Sequence, residues 1–424
     1  MLKIFSFKDI KVDLIWNYIS LLILGISGLA LNVIISQYYE PKILGAFNQV
    51  VSIYLVAAMI GSGGINYSVL QSIPTNRDIK SKLNDIIFGG IILSLTLSFI
   101  VSFIFILLII PVSNWLESDL VKTGLFFITP GLFFFSLNKI LLQGIINGLQ
   151  RMKEFAFFQS IRYFLILINL LIAIQISIDG EKIPFIFSCS EFLLFILLIT
   201  RISMITNWWN ANNWMIWLRK HFIFSLKSFS SGVIIELNSR VDIICIGYFL
   251  NDEKVGIYSF SALFAEGFLQ ALIVLQNIFN PKIAKLFSSN NTVGFLNMIQ
   301  KTKKPIYYSI VILFIFSTIF YSSIINLLTN NFTYQDSKIP FFVLIFGITL
   351  ASGYIPYFNL FFMKNLPTWQ TFFVLLIITT NIFFNFLLIP IFGINGAAIA
   401  TAISFISSII FLKKLVKKLI GLRI

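Results

Sequence analysis

The sequence predicts an all-α polytopic membrane protein, and three observations carry that prediction. Of 424 residues, 58% are hydrophobic and 11% charged, whereas a soluble globular chain has about a quarter of its residues charged. Mean hydropathy is +0.92. Apolar runs of at least about 20 residues, enough for a helix to cross a hydrocarbon core of roughly 30 Å, recur along the whole chain.

Taken in order, these runs give twelve spans: 12–36, 43–70, 86–111, 124–149, 155–178 and 183–206, then 222–250, 255–280, 305–328, 340–363, 370–392 and 395–415. The first reads as a retained helix, because its apolar core is too long for a signal peptide and no small-residue cleavage pattern follows. Gly61, Gly63 and Gly64 in the second span predict close packing or a bend. Pro130, Pro356 and Pro390 predict kinks in the fourth, tenth and eleventh. Between the last two spans, Gly393 predicts a tight turn, and Gly396, Ala397 and Ala400 then form a small-residue face that lets a neighbouring helix approach. Cys189 and Cys245 both lie within spans, which argues for small buried apolar roles and against a disulfide.

The formal charge is +14, so the placement of the basic residues decides what it means. Twenty-two of the 31 Lys and Arg fall on the side of the termini, five (Lys42, Lys122, Lys182, Lys254 and Lys338) on the other, and four within spans. That asymmetry is a topology signal placing both termini in the cytoplasm, and no soluble face is large enough to hold a nucleic acid. Loops are short throughout. The longest, 281–304, is on the cytoplasmic side, and the ordered extramembrane domain that a glycosyltransferase or glycan polymerase needs for an acceptor sugar is absent from the pattern.

A faint internal repeat divides the chain. "YYEPKILGAFNQ" at 38–49 resembles "FLNDEKVGIYSF" at 249–260, each with an acid, a Lys, a Gly and then an aromatic two positions on. Six spans per half would give both halves the same orientation, related by an axis along the membrane normal. The expected domains are a six-helix bundle over 1–206, a cytoplasmic linker over 207–221, and a second six-helix bundle with a basic tail over 222–424.

Two stretches point to a family. "SRVDIICIGYFLNDEKVGIYSFSALF" at 239–264, with "NIFNPKIAKLF" at 277–287, resembles the seventh and eighth helices of polysaccharide-exporting flippases, and "NFLLIPIFGINGAAIATAIS" at 385–404 resembles a region near their end. The chain is thus similar to the Wzx-type, or O-antigen, lipid-linked oligosaccharide flippases of the multidrug/oligosaccharidyl-lipid/polysaccharide exporter superfamily. The resemblance implies two six-helix bundles in a V around a central cavity, in the bacterial inner membrane. It implies as substrate an oligosaccharide joined through pyrophosphate to undecaprenol, turned from the cytoplasmic to the periplasmic leaflet, and as partners a polysaccharide polymerase and a chain-length regulator. No cofactor is expected beyond a proton or sodium gradient.

The charges inside spans are where chemistry is expected, since each costs about 2.5 to 3.5 kcal/mol near the bilayer centre. Lys139 and Arg162 lie roughly 15 and 10 Å from the cytoplasmic ends of their helices at about 1.5 Å per residue. With Arg240 they are the candidate pyrophosphate ligands, Arg for bidentate contact and Lys as a point charge. Lys227 sits close enough to the interface to snorkel. Glu236 and Arg240, four residues apart on one helix, form a candidate intrahelical pair. Glu266, Asp242 and Glu191 are candidates for ion coupling, with Glu266 first because no cation lies one turn away on its own helix; the alternative is a carboxylate salt-bridged to Lys139 or Arg162. Loss of surface glycan at normal abundance is the expectation for Arg162→Ala or Arg240→Ala. Asn and aromatic residues, among them Asn381, Asn385, Tyr354, Tyr357 and Trp369, suit either a sugar-lining surface or interhelical hydrogen bonds.

Two other functions stay open at this level. A multidrug or cation antiporter of the same superfamily would favour acids in an apolar chamber, whereas Lys139, Arg162 and Arg240 favour an anion. A membrane enzyme has little to work with: the single histidine, His221, sits in "WLRKHF" as an interfacial anchor, and no metal-ligand spacing is present.

Overall fold

A computed structural model describes the backbone of residues 7–76, 78–329 and 331–424, and within it only the helical course of 7–19, 21 and 227–231. The side chains of Lys3, Lys8, Lys11, Asn17, Arg77 and Lys227 lie outside the described residues. The expected spans overlap helices, two of them, 43–70 and 340–363, broken within. The helices are α1 Phe7–Tyr38, α2 Pro41–Ser62, α3 Ile65–Asn76, α4 Lys80–Trp115, α5 Asp119–Lys139, α6 Met152–Gln175, α7 Phe185–Ile205, α8 Trp214–Phe249, α9 Asp252–Ser288, α10 Thr292–Leu328, α11 Lys338–Ala351, α12 Leu360–Met363, α13 Pro367–Phe392 and α14 Ile394–Ile420. Among the described residues, nine helices are long and apolar enough to cross a membrane, and a tenth if the bent pair Phe332–Ala351 and Ile355–Met363 counts as one span.

Local sequence sets the ends of these helices. Ser118 caps α5 by accepting from Val121 N at 3.2 Å, and Asp119 in the first turn favours the positive end of the helix dipole. Asn251 does the same for α9, accepting from Lys254 N at 2.9 Å, with Asp252 and Glu253 following. Gly63 and Gly64 take φ of +52° and +73°, a conformation that a side chain would strain. The second expected span is therefore two helices, α2 and α3, meeting at the diglycine. The tenth is also broken, by a 57° bend after α11, with Pro356 in the short 3-10 turn Ile355–Tyr357. Pro130 and Pro390 sit inside α5 and α13.

The chain forms two compact units, Met1–Tyr38 with Gln49–Glu236, and Tyr39–Asn48 with Leu237–Ile424. The division falls within α8 and not in 207–221, because the start of α8 is packed into the first unit. A Cβ on Gly89 would sit 2.9 Å from Trp214 O and 3.0 Å from Leu218 N, and Asp85 Oδ1 accepts from the backbone N–H groups of Asn212 and Asn213 at 2.8 and 2.9 Å. In this unit α1 packs on α6, α6 on α7, α7 on α5, α5 on α4, and α4 on α3.

In the second unit α13 and α14 form a hairpin, α14 packs on α11, and α11 packs on α9 and α10. Gly396, Ala397 and Ala400 are buried as the small-residue face predicts. The two copies of the repeat meet here. A Cβ on Gly45 would fall on the Asp252 carbonyl, 2.7 Å from Gly256 N, and one on Gly256 would fall on the Pro41 carbonyl, 3.1 Å from Gly45 N. Each glycine thus touches the residue four before the other.

Candidate functional site

The intramembrane charges gather into separate constellations in the two units. In the first, α5 ends at Lys139 and continues as a π-helical turn, Ile140–Ile146. Such turns recur at functional sites because the extra residue re-aims the side chains around them. Lys139 is 7% exposed. Its Nζ lies against Met59 Sδ and 3.3 Å from Ser62 Oγ, at the C-terminal end of α2, just before the diglycine break. The last carbonyls of α2 carry the negative end of its dipole there, which favours a cation. None of the ion pairs among the described residues includes Lys139.

One residue earlier, Asn138 donates to Glu191 O at 2.8 Å and to Glu191 Oε2 at 2.7 Å. Glu191 also receives Arg162, with Nε 2.9 Å from Oε1 and Nη2 3.2 Å from Oε2. Arg162 further stacks on Phe135, its guanidinium carbon 4.7 Å from the ring centre. Of the two readings the sequence left for these residues, the geometry shows the ion pair: the Glu191 carboxylate, 1% exposed, is the counter-ion of Arg162.

The second unit assembles a different group. Asp242 Oδ1 accepts from Asn385 Nδ2 at 2.9 Å, and its Oδ2 accepts from Tyr258 at 2.8 Å and Thr401 at 2.6 Å. Asn381 Oδ1 joins, accepting from Asn385 Nδ2 at 2.9 Å and Thr401 Oγ1 at 3.3 Å. The Asn385 Oδ1 is buried without a partner, and turning its amide over would point that oxygen at Asp242. All the partners are neutral. A carboxylate ringed by Asn, Thr and Tyr oxygens is a set that suits a hard cation. Glu266 is elsewhere, exposed on α9, so the structure brings other oxygen ligands to Asp242 and not to the sequence's first choice for coupling.

Glu236 and Arg240 are both half-buried on α8, at the spacing the sequence gives and on either side of the division between units. His221 departs from the interfacial role expected of it. It is fully buried, ahead of the apolar stretch of α8, with Nδ1 2.7 Å from Ser68 Oγ and Nε2 3.2 Å from Ile86 O. The carbonyl fixes the proton on Nε2, so Nδ1 accepts from Ser68, and burial pushes the imidazole down to about 4. It is a neutral brace between α3, α4 and α8. Three of the Asn and aromatic residues take the interhelical reading: Asn66 donates to Gln143 at 3.1 Å, Asn169 to Ser190 at 2.8 Å, and Tyr357 meets Thr302 at 2.5 Å.

Sequence reasoning missed Asn138, Tyr258, Thr401, Met59 and Ser62. The i, i+4 pair Asn381 and Asn385 on one helix face was a usable signal for the Asp242 group; nothing comparable marked Thr401. Among the described residues, no group of three or more His, Cys, Asp or Glu side chains could hold a metal ion.

A family model described as polysaccharide biosynthesis protein matches residues 13–266. No curated protein sequence matches the chain. Among solved structures, the lipid II flippase MurJ in an inward closed conformation is similar at 16% identity and TM-score 0.75, over 96% of this chain and 87% of that one. An inward-facing multidrug resistance MATE family transporter of the MOP superfamily is similar at 13% identity and TM-score 0.75, over 91% and 92%. A MATE protein in the straight conformation follows at 12% and 0.63, over 92% of each chain. At these identities the likeness is one of fold: a multi-pass helical transporter architecture.

Proposed function

Because the chain belongs to the polysaccharide biosynthesis protein family, whose model spans more than half of it, we propose that it is a flippase. Its substrate is an undecaprenyl-pyrophosphate-linked oligosaccharide of the O-antigen type, moved from the cytoplasmic to the periplasmic leaflet of the inner membrane by alternating access and driven by a cation gradient. The observation that carries this reading is Lys139, a buried ammonium outside every ion pair among the described residues, at a π-helical turn beside the broken second span.

A pyrophosphate headgroup leaving the interface needs a cation to replace its water. Lys139 supplies one from contacts to Met59 and Ser62, with no carboxylate among the described residues at ion-pair distance and Glu236 as the acid whose charge reaches it. Arg162 is a second cation held in reserve, released only if phosphate displaces Glu191. Arg240 remains a third candidate. Asp242, with Asn381, Asn385 and Thr401, is the candidate coupling site, where a bound cation would replace the hydroxyl and amide donors that now satisfy the carboxylate. The MATE-like fold by itself suits a cation antiporter equally well; Lys139 favours an anionic cargo.

Proteoliposomes holding the purified chain and a fluorescent lipid-linked oligosaccharide test the proposal. Gradient-dependent movement of the label to the far leaflet is the expected result, with Asp242→Asn moving it at a rate indifferent to sodium or proton gradients. Efflux of a cationic dye without movement of the lipid-linked sugar would overturn it in favour of the antiporter.

A further inference from the structure

The broken span of the second unit carries a charge arrangement that the flippase reading does not use. Of the twelve Lys and Arg after Glu266, eleven fall on the side that the lysine bias assigns to the cytoplasm, and the single acid, Asp336, lies at the other end beside Lys338. Two of these lysines converge on one ring. Lys303 of α10 bonds the Tyr354 hydroxyl and places its Nζ 3.9 Å from the ring centre, while Lys413 of α14 places its Nζ 4.8 Å from the same centre. Tyr354 itself is buried, Lys303 half-buried and Lys413 exposed.

The obvious structural role for two ammonium groups beside a helix break is to satisfy the loose carbonyls, and five of those are already taken. Leu350 O accepts from Tyr307 at 2.9 Å, Ala351 O from Tyr354 N at 2.8 Å and Tyr354 O from Tyr357 N at 2.9 Å. Ile355 O accepts from Phe358 N at 3.0 Å, and Phe358 O from Gln370 at 2.9 Å. Neither lysine is in any ion pair among the described residues. The site therefore holds two like charges against one phenol, with no acid among the described residues at ion-pair distance. Its floor is closely packed: a Cβ on Gly353 would meet Lys303 Cγ at 2.8 Å. Close by in sequence, Lys418 lies over Trp369 at 5.4 Å, and a Trp–Lys pair is characteristic of headgroup depth.

We propose that Lys303, Lys413 and Tyr354 form a seat for the phosphate of an anionic phospholipid of the cytoplasmic leaflet. The two ammonium groups bracket the phosphate, the Tyr354 hydroxyl turns toward it, and the acyl chains lie along the apolar faces of α10 and α14. The ligand is a membrane lipid because the seat is open at its lysines and flanked by helices that face hydrocarbon. The assignment stands apart from the glycan substrate.

Native mass spectrometry of the full chain, exchanged into defined mixtures of phosphatidylglycerol or cardiolipin with phosphatidylethanolamine, tests it. Affinity for anionic lipid should fall more than about thirtyfold for Lys303→Gln/Lys413→Gln, beyond the about fivefold per lysine that diffuse surface attraction alone supplies. Lys301→Gln/Lys304→Gln removes the same charge from exposed positions on the same helix and should cost no more than that diffuse attraction. Tyr354→Phe, which keeps the ring, should weaken the preference without altering abundance. Equal losses from the two lysine pairs would overturn the seat in favour of diffuse attraction. Equal protection of the protein by soluble inorganic phosphate, at matched phosphate concentration, would overturn the lipid assignment.

Discussion

Arg162 and Lys139 are both cations inside the first unit, yet they stand in opposite situations. Arg162 is bound in a two-point ion pair to Glu191, which Asn138 also holds. Removing one partner of a buried pair strands the other, at a cost of about 3 to 5 kcal/mol. Arg162→Ala is therefore expected to lower the amount of folded protein in the membrane severalfold, and Arg162→Met with Glu191→Gln to restore it, both measurable by immunoblot of membrane fractions. Normal abundance of Arg162→Ala would show that Glu191 finds another partner. This replaces the sequence's expectation of normal insertion for that variant. The reason it was not legible is distance: the pair is 29 residues apart, and hydropathy says how deep each residue lies but not which way its helix is turned. The same holds for Asp242 and Thr401, 159 residues apart. Local features were readable. Gly63 and Gly64 announced the break between α2 and α3, whereas the π-helical turn after Lys139 left no mark in "NKILLQGII".

Among elements, the contact between the starts of α2 and α9 is the tightest backbone approach in the second unit that the sequence had hinted at. Gly45 and Gly256 were visible as the matched positions of a weak repeat, and the structure makes them neighbours with reciprocal contacts. Because the atoms in the way are backbone carbonyls and not side-chain ends, a methyl group cannot be accommodated by a rotamer change. Gly256→Ala should destabilise by about 1 to 3 kcal/mol, the usual cost of overpacking, and lower the thermal midpoint in detergent. Gly267→Ala, where nothing lies within 4 Å, should hold or raise it, since alanine favours a helix interior. Equal midpoints for the two variants would mean that the helix starts separate easily. The broken span at α11 was readable only as a proline at 356; that its carbonyls are closed off by Tyr307, Gln370 and its own N–H groups depends on helices far along the chain.

At the scale of the whole molecule, composition settled the class and the charge asymmetry set an expected topology, because both are sums over many residues and tolerate local error. Family membership and the MurJ- and MATE-like fold agree with that class. What distinguishes a carrier of anionic lipid-linked sugar from one of cationic drugs is a handful of buried charges, and the account rests most heavily on Lys139. The most direct measurement is the rate at which a fluorescent lipid-linked oligosaccharide crosses proteoliposomes containing Lys139→Ala, Lys139→Arg or the unaltered chain at matched protein content. The account predicts near-complete loss for Lys139→Ala and substantial retention for Lys139→Arg; unchanged rates for Lys139→Ala would contradict it.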